Sequence, residues 1–309
     1  MKKEQKTLAY KQLIDRKKLG HAIESKDLSD KTLAPLLDVV SPLFLQNTIY
    51  SKTQKFGVPA NYNSITIPAI SSETGLVGGL LFSIVDSGDA IPLTKTIIIP
   101  IELQLSKIAA IIPITNELDE DTAEFLYPSL QTNIGIALEY ALDMLILYGD
   151  PATSRFTGVF NIAAPATAFI DTAIETTLEL QLRAMVSAYY GGPDGKFYVS
   201  RTIYDDLIEA VDGITIQAIG EDLFIYNYKV EVSNHMDPTQ ILLADFTQYA
   251  VGQKDIRQDV SDSLYFLTDQ LAVKVVMRAG GNTIWDGPLT QEDGALVYPF
   301  VTLDTMRDV

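Results

Sequence analysis

Residues 111–151 read IIPITNELDEDTAEFLYPSLQTNIGIALEYALDMLILYGDP, and this stretch decides the fold. A strand over Lys107 to Ile114 runs into the acidic sequence Glu117-Leu-Asp119-Glu120-Asp121, then into Pro128 and a helix predicted over about Ser129 to Tyr148. Carboxylates suit the positive end of a helix dipole, proline suits a first helical turn, and Gly149 followed by Pro151 ends the element. Leu130, Ile134, Leu138, Ala141, Leu145 and Tyr148 form one apolar stripe. Ile136, Tyr140, Met144 and Leu147 make much of the opposite side apolar as well, so the helix is expected to lie between two layers as a spine.

Upstream of this core, Ile65, Ile67 and Ala69 alternate with Ser64, Thr66 and Pro68, and Ile97, Ile99, Ile101, Leu103 and Leu105 alternate on the way back. The pattern is a hairpin. Its connection, Ser71 to Leu93, holds Gly75, Gly78, Gly79 and Gly88 and is far longer than the ~2–5 residues of an ordinary hairpin loop. The expectation is therefore a projecting arm, which leaves strand edges unpaired and makes sense when another subunit covers it. Residues 1–50 carry helical hints at 8–18 and 31–38 but no compact unit, and read as an extended arm that borrows neighbouring surfaces.

Downstream, helical and strand-like pieces alternate from 158 to about 260. Helices are predicted over 177–189 and 202–211 and strands over 196–200, 223–226, 229–232 and 241–244, a separate α/β unit. Strands then return over 264–267, 271–277 and 295–301, and these are expected to pair with the strands flanking the spine helix. Gly280, Gly281 and Asp286-Gly287-Pro288 punctuate them.

Composition narrows the chemistry. A chain of 309 residues with 47% apolar and 20% charged residues can bury more than one core. It has no cysteine, which excludes disulfides and thiolate chemistry, and only His21 and His235, which argues against histidine-based catalysis or a multi-histidine metal site. His235, beside Asn234 and Asp237, reads as a turn residue. Glu117, Asp119, Glu120 and Asp121 match no calcium loop and are explained by helix-end electrostatics. Gly191-Gly192-Pro193-Asp194-Gly195 precedes a strand and reads as a turn, and Trp285 reads as a core anchor. No phosphate loop, metal helix or nucleophile elbow occurs, and no cofactor or metal is expected. There is no secretion signal at the start, and the apolar stretch 134–148 is too short to cross a membrane. The net charge of −17 hides a polarity, because Met1 to Gly20 carries Lys2, Lys3, Lys6, Lys11, Arg16, Lys17 and Lys18 against Glu4 and Asp15. An acidic body repels duplex DNA and lets it slide, whereas the basic arm suits DNA or an acidic partner.

Four stretches together resemble the major capsid protein family of tailed bacteriophages, with the Hong Kong phage capsid fold shared with encapsulins. They are Ile112 to Asp121; Ala137-Leu-Glu-Tyr-Ala-Leu-Asp143 with Tyr148-Gly-Asp-Pro151 and Thr157-Gly-Val-Phe160; Leu243-Ala-Asp-Phe-Thr-Gln-Tyr249, where Ala244 stands for the family's glycine; and Phe266-Leu-Thr-Asp269 with Val275-Val-Met-Arg278. The resemblance spans residues 63–303. It implies an α+β fold with an N-terminal arm (1–56), an extended β-hairpin loop (57–105), a peripheral domain with the spine helix (106–158 and 262–309) and an α/β axial domain (159–261).

It also implies a structural role and no enzyme: self-assembly as pentamers and hexamers into an icosahedral shell around a double-stranded DNA genome, made in the host bacterial cytoplasm and located in the virion capsid. The implied partners are other copies, a separate scaffolding protein, a portal protein, decoration proteins and non-specifically packaged DNA, with no membrane. The residues expected to clamp a neighbour are Gly75, Gly78, Gly79, Leu80, Leu81, Phe82, Ile84 and Val85. A separate scaffold is expected because about fifty residues precede the loop, too few for a scaffolding segment, unless the sequence is already processed. The family's covalent loop crosslink is not expected, because no lysine lies between Lys55 and Lys95. An encapsulin shell and a carboxylate-dependent hydrolase built on Glu117 are the alternatives.

Overall fold

A computed structural model describes residues 49–74, 82, 84–85, 93–161, 164–170, 177–209, 215–220, 222–291 and 294–304, with the side chains at 74, 117–129, 131, 266 and 304 outside the description. In chain order the elements are α1 (Ile49–Lys52), β1 (Gln54–Gly57), β2 (Ser64–Ile70), β3 (Ile98–Gln104), β4 (Ser106–Thr115), α2 (Asn116–Tyr148), β5 (Thr167–Ile170), α3 (Leu178–Ala188), β6 (Lys196–Val199), α4 (Arg201–Glu209), β7 (Ile216–Ile219), β8 (Asp222–Ile225) and β9 (Tyr228–Val232). They continue with β10 (Gln240–Ala244), β11 (Tyr249–Gln253), β12 (Arg257–Tyr265), β13 (Gln270–Thr283), β14 (Leu289–Thr290), β15 (Leu296–Val297) and β16 (Phe300–Asp304). They form two compact units. One holds 105–142 and 253–279 with the start of the described chain, and the other holds 52–104, 143–252 and 280–304.

In the first unit β13 is central, antiparallel to β4 (Val273↔Ile112, Val275↔Ala110) and to β12 (Val260↔Val273, Arg257↔Val276). The strand period of two divides β13: Val273, Val275 and Met277 are buried, while Lys274, Val276 and Arg278 face away. Ile134 and Leu130 of α2 pack on the buried side with Ile114, Val260, Val273 and Val275. Two expectations are corrected here. The helix starts at Asn116, not Ser129, and Pro128 lies inside it. The acidic residues thus occupy its first turns, where the dipole favours them, and proline's missing N–H is tolerated at a cost of ~3 kcal/mol that the long helix absorbs. Asn116 fixes this start, its N–H donating to the Asp269 carbonyl at 3.1 Å and its side-chain amide to the Asp269 carboxylate. The residues Phe266-Leu267 do not extend a strand but form a single 3-10 turn, and Asp269, at φ 52°, turns the chain into β13.

The second unit contains a seven-stranded mixed sheet in the order β5-β16-β10-β6-β9-β8-β7. β6 and β9 are parallel and are joined through α4; β16 runs antiparallel to β10 and parallel to β5. The expectation that the last strands join those beside the spine helix fails for β16. Phe300, Val301 and Leu303 are all fully buried, and so is the partner run Leu242-Leu243-Ala244, a continuous apolar pattern that demands cover on both faces. Leu182 and Met185 of α3, Leu207 of α4, Phe197, Leu243 and Val301 share one core. Asp245 caps the following turn, accepting from Thr247 N at 2.9 Å and Thr247 Oγ1 at 2.6 Å. Gly191, at φ 81°, makes the predicted turn before β6.

The end of α2 shows why glycines stand there. Gly158 N–H donates to the Gly149 carbonyl at 2.8 Å, and a Cβ on Gly158 would lie 2.4 Å from Gly149 N. Val159 and Phe160 N–H groups then satisfy the Ile146 and Leu147 carbonyls, and the Tyr148 and Phe160 rings stack with centroids 5.2 Å apart.

Candidate assembly surfaces

The hairpin β2–β3 pairs over seven residues, Ile65↔Leu103, Ile67↔Ile101 and Ala69↔Ile99 among them, so that alternation puts Ala69, Ile101 and Leu103 in a small core with Ala250. Its other face carries exposed Ile70 and Ile98, and beyond the pairing Phe82, Ile84 and Leu93 stand fully exposed while Val85 is half-buried. Large apolar side chains left in water at this density mark an interaction surface. Among the described residues the hairpin is a two-stranded sheet with an unpaired edge on each side. Its root is tied down: Ser71 N–H donates to the Ile97 carbonyl at 2.9 Å, and Ser71 and Ser72 both donate to the Asp286 carboxylate.

Within the first unit, α2 buries Ile134 and Leu138, and Leu130 and Ala141 are half-buried, as is Leu145 beyond it. On the expected second face Ile136 and Tyr140 are 58% and 52% exposed, whereas Met144 is half-buried and Leu147 fully buried. An apolar groove of about 420 Å³ opens between α2 and β4, lined by Ile108, Ala110 and Ile112 on one side and Asn133, Ala137 and Ala141 on the other.

The face of the sheet turned away from α2 is basic, although the chain is acidic. Arg278 stands directly opposite Lys107 across β13–β4, Arg257 lies beside Val276, and Lys274 pairs with Asp259 at 2.7 Å. Cations gathered on one face of the sheet suit an anionic neighbour. Exposed Ile111 and Ala109 lie among the cations. The sequence signal was present, Lys274 and Arg278 at even spacing in one strand, but net charge concealed it.

In the second unit, Glu231 on β9 sits between Lys52 of α1 and Lys196 of β6, 2.5 Å from the Lys196 Nζ, and Lys52 also reaches the Tyr198 hydroxyl at 3.2 Å. Burial pushes the Glu231 carboxyl up, but hydrogen bonds from Lys196 and Lys52 bring it below its ordinary value. His235 lies in the expected turn but also contacts Asp143 of α2. Trp285 is anchored as expected, its indole N–H donating to Gln248 Oε1 at 3.0 Å. No group of metal-ligating side chains gathers among the described residues, and no described helix is long and apolar enough to cross a membrane. The side chains of Glu117, Asp119, Glu120 and Asp121, the arm cations Lys2 to Lys18, and Gly75, Gly78, Gly79, Leu80 and Leu81 lie outside the described residues.

Residues 45–289 match the sequence model of the phage capsid family. Among solved structures, a chain of Mycobacterium phage Adephagia is similar with a TM-score of 0.59 at 16% identity, covering 84% of this chain and 90% of that one. The capsid of an empty GTA particle gives 0.59 at 15% identity, with 83% and 89% covered. The satellite phage P4 procapsid, solved with its size determination protein, gives 0.57 at 11% identity, with 87% and 98% covered. These likenesses show the fold. No curated protein sequence matches.

Proposed function

The chain belongs to the phage capsid family, and from that premise we propose how it serves as a major capsid protein: each copy reaches out with its β2–β3 loop and clamps the first unit of a neighbouring copy. The observation that carries this reading is complementarity. The loop is apolar at exposed Phe82, Ile84 and Leu93 and carries Glu73, Asp86 and Asp89 against Lys95. The first unit offers an apolar groove beside α2 and a basic sheet face. Many such contacts, each modest after association costs, sum to a closed shell.

On this reading the residues assigned to the clamp are Gly75, Gly78, Gly79, Leu80, Leu81, Phe82, Ile84 and Val85, and the domain limits are those of the family: arm 1–56, loop 57–105, peripheral 106–158 and 262–309, axial 159–261, except that β16 crosses from the last peripheral segment into the axial sheet. Pentamers and hexamers build an icosahedral shell in the host bacterial cytoplasm around double-stranded DNA, with a separate scaffold, a portal and decoration proteins as partners. The role is structural and not enzymatic. The basic arm of Lys2, Lys3, Lys6, Lys11, Arg16, Lys17 and Lys18 faces DNA or the scaffold. Pelleting of the co-expressed chain and scaffold, followed by nuclease treatment, tests the reading. Pelletable particles holding nuclease-resistant DNA after packaging support a phage shell, while particles holding a protein cargo would point to a nanocompartment.

A further inference from the structure

We propose that Asp286 is the positioning residue that latches the root of the projecting loop, fixing the direction in which it leaves the second unit. One carboxylate takes three donors from two consecutive residues: Ser71 Oγ on Oδ2, and Ser72 N–H and Ser72 Oγ on Oδ1, each at 2.7 Å. Both serines are buried, and Ser71 also closes the last rung of the hairpin through Ile97. The latch therefore grips the chain at the point where paired strand gives way to loop.

The carboxylate is itself held. Its neighbour Trp285 donates to Gln248 Oε1 at 3.0 Å and sets its ring edge-on to Tyr190, with centroids 5.1 Å apart, while Ile284 N–H donates to the Gln248 carbonyl at 3.0 Å. Gly287 keeps the turn close, since a Cβ there would sit 3.3 Å from Ser72 Oγ. A charged acceptor fixed by an aromatic anchor and shared by three short hydrogen bonds is a stiff joint, stronger than neutral pairs of the same number. A loop that must find a neighbour gains from leaving its own subunit in one direction, because less freedom is lost on docking. This inference rests on the loop being an intersubunit clamp.

The sequence provides the assay. Lys95 is exposed and is the single trypsin site between Lys55 and Lys107, and its cleavage rate reports how readily the loop's return segment fits a protease. In the full-length chain before assembly, Asp286→Ala is expected to raise the cleavage rate after Lys95 by about tenfold. Asp286→Asn, which keeps acceptor oxygen but loses the charge, falls between it and the parent. A rate at Lys95 unchanged in both variants, or raised only in proportion to cleavage after Arg183 in the folded α3, would overturn the latch. Shell formation is scored separately: if the parent chain forms no shells the clamp reading fails, whereas latch variants that free the loop and still close normal shells refute the role given to Asp286.

Discussion

Nδ1 of His235 lies 3.2 Å from Oδ2 of Asp143, a carboxylate that is 1% exposed near the end of α2. Burial holds this imidazole below its ordinary value of 6.5. As the pH falls through about 6.5 the unfolded chain takes up a proton that the folded chain resists, so stability is full above that pH and is lost below it. Thermal unfolding followed between pH 8 and pH 5 should show the fall, and His235→Asn, which does not titrate, should flatten it. Parallel profiles for parent and variant would show that this residue does not set the acid limit.

Glu231 sits between Lys52 and Lys196, with all three side chains about two-thirds buried or more. Burial pushes the Lys52 ammonium down, and Glu231 opposes that shift. Glu231→Ala leaves two half-buried cations facing each other and should cost about 1–3 kcal/mol, less than for a fully buried pair because water screens the site. Denaturant unfolding measures it, and the charge-removing double variant Glu231→Gln with Lys196→Gln should recover part of the loss.

Gly158→Ala should cost about 3 kcal/mol or more, because its Cβ meets backbone atoms of Gly149 that no rotamer change can move. Soluble yield and Tm report it. A variant that melts within a degree or two of the parent would contradict the close approach at the exit of α2.

Phe82→Asp and Ile84→Asp should leave Tm of the unassembled chain within about 1 °C, since exposed substitutions rarely exceed ~0.5 kcal/mol, and should abolish shell formation. Ile136→Asp on the open face of α2 should act the same way. Co-sedimentation against the parent chain gives the comparison. Normal particle yield from all three variants would remove these residues from the interface.

Much of this architecture is legible in the sequence because it rests on local periodicity. The alternation at 64–69 and 97–105 marked the hairpin of β2 and β3, whereas in the second half of α2 the fully buried residues are Leu142, Ile146 and Leu147, beside the stripe that periodicity picked out. The start of α2 lies upstream of the expected one because Pro128 is a strong local stop that twelve preceding residues of helix override. β16 was recognised as a strand but given the wrong partners, because a run of buried apolar residues states that cover is needed and not who supplies it. The basic sheet face was missed because its cations lie on three strands far apart in sequence. Likewise, the three-donor clamp on Asp286 joins residues more than two hundred positions apart.

Negative-stain electron microscopy of the purified chain, alone and with its co-expressed scaffold, tests the central claim most directly. The account predicts closed shells, or capsomer rings and sheets built from one subunit, and their loss in the Phe82→Asp variant. A uniform monomer under every condition would contradict it.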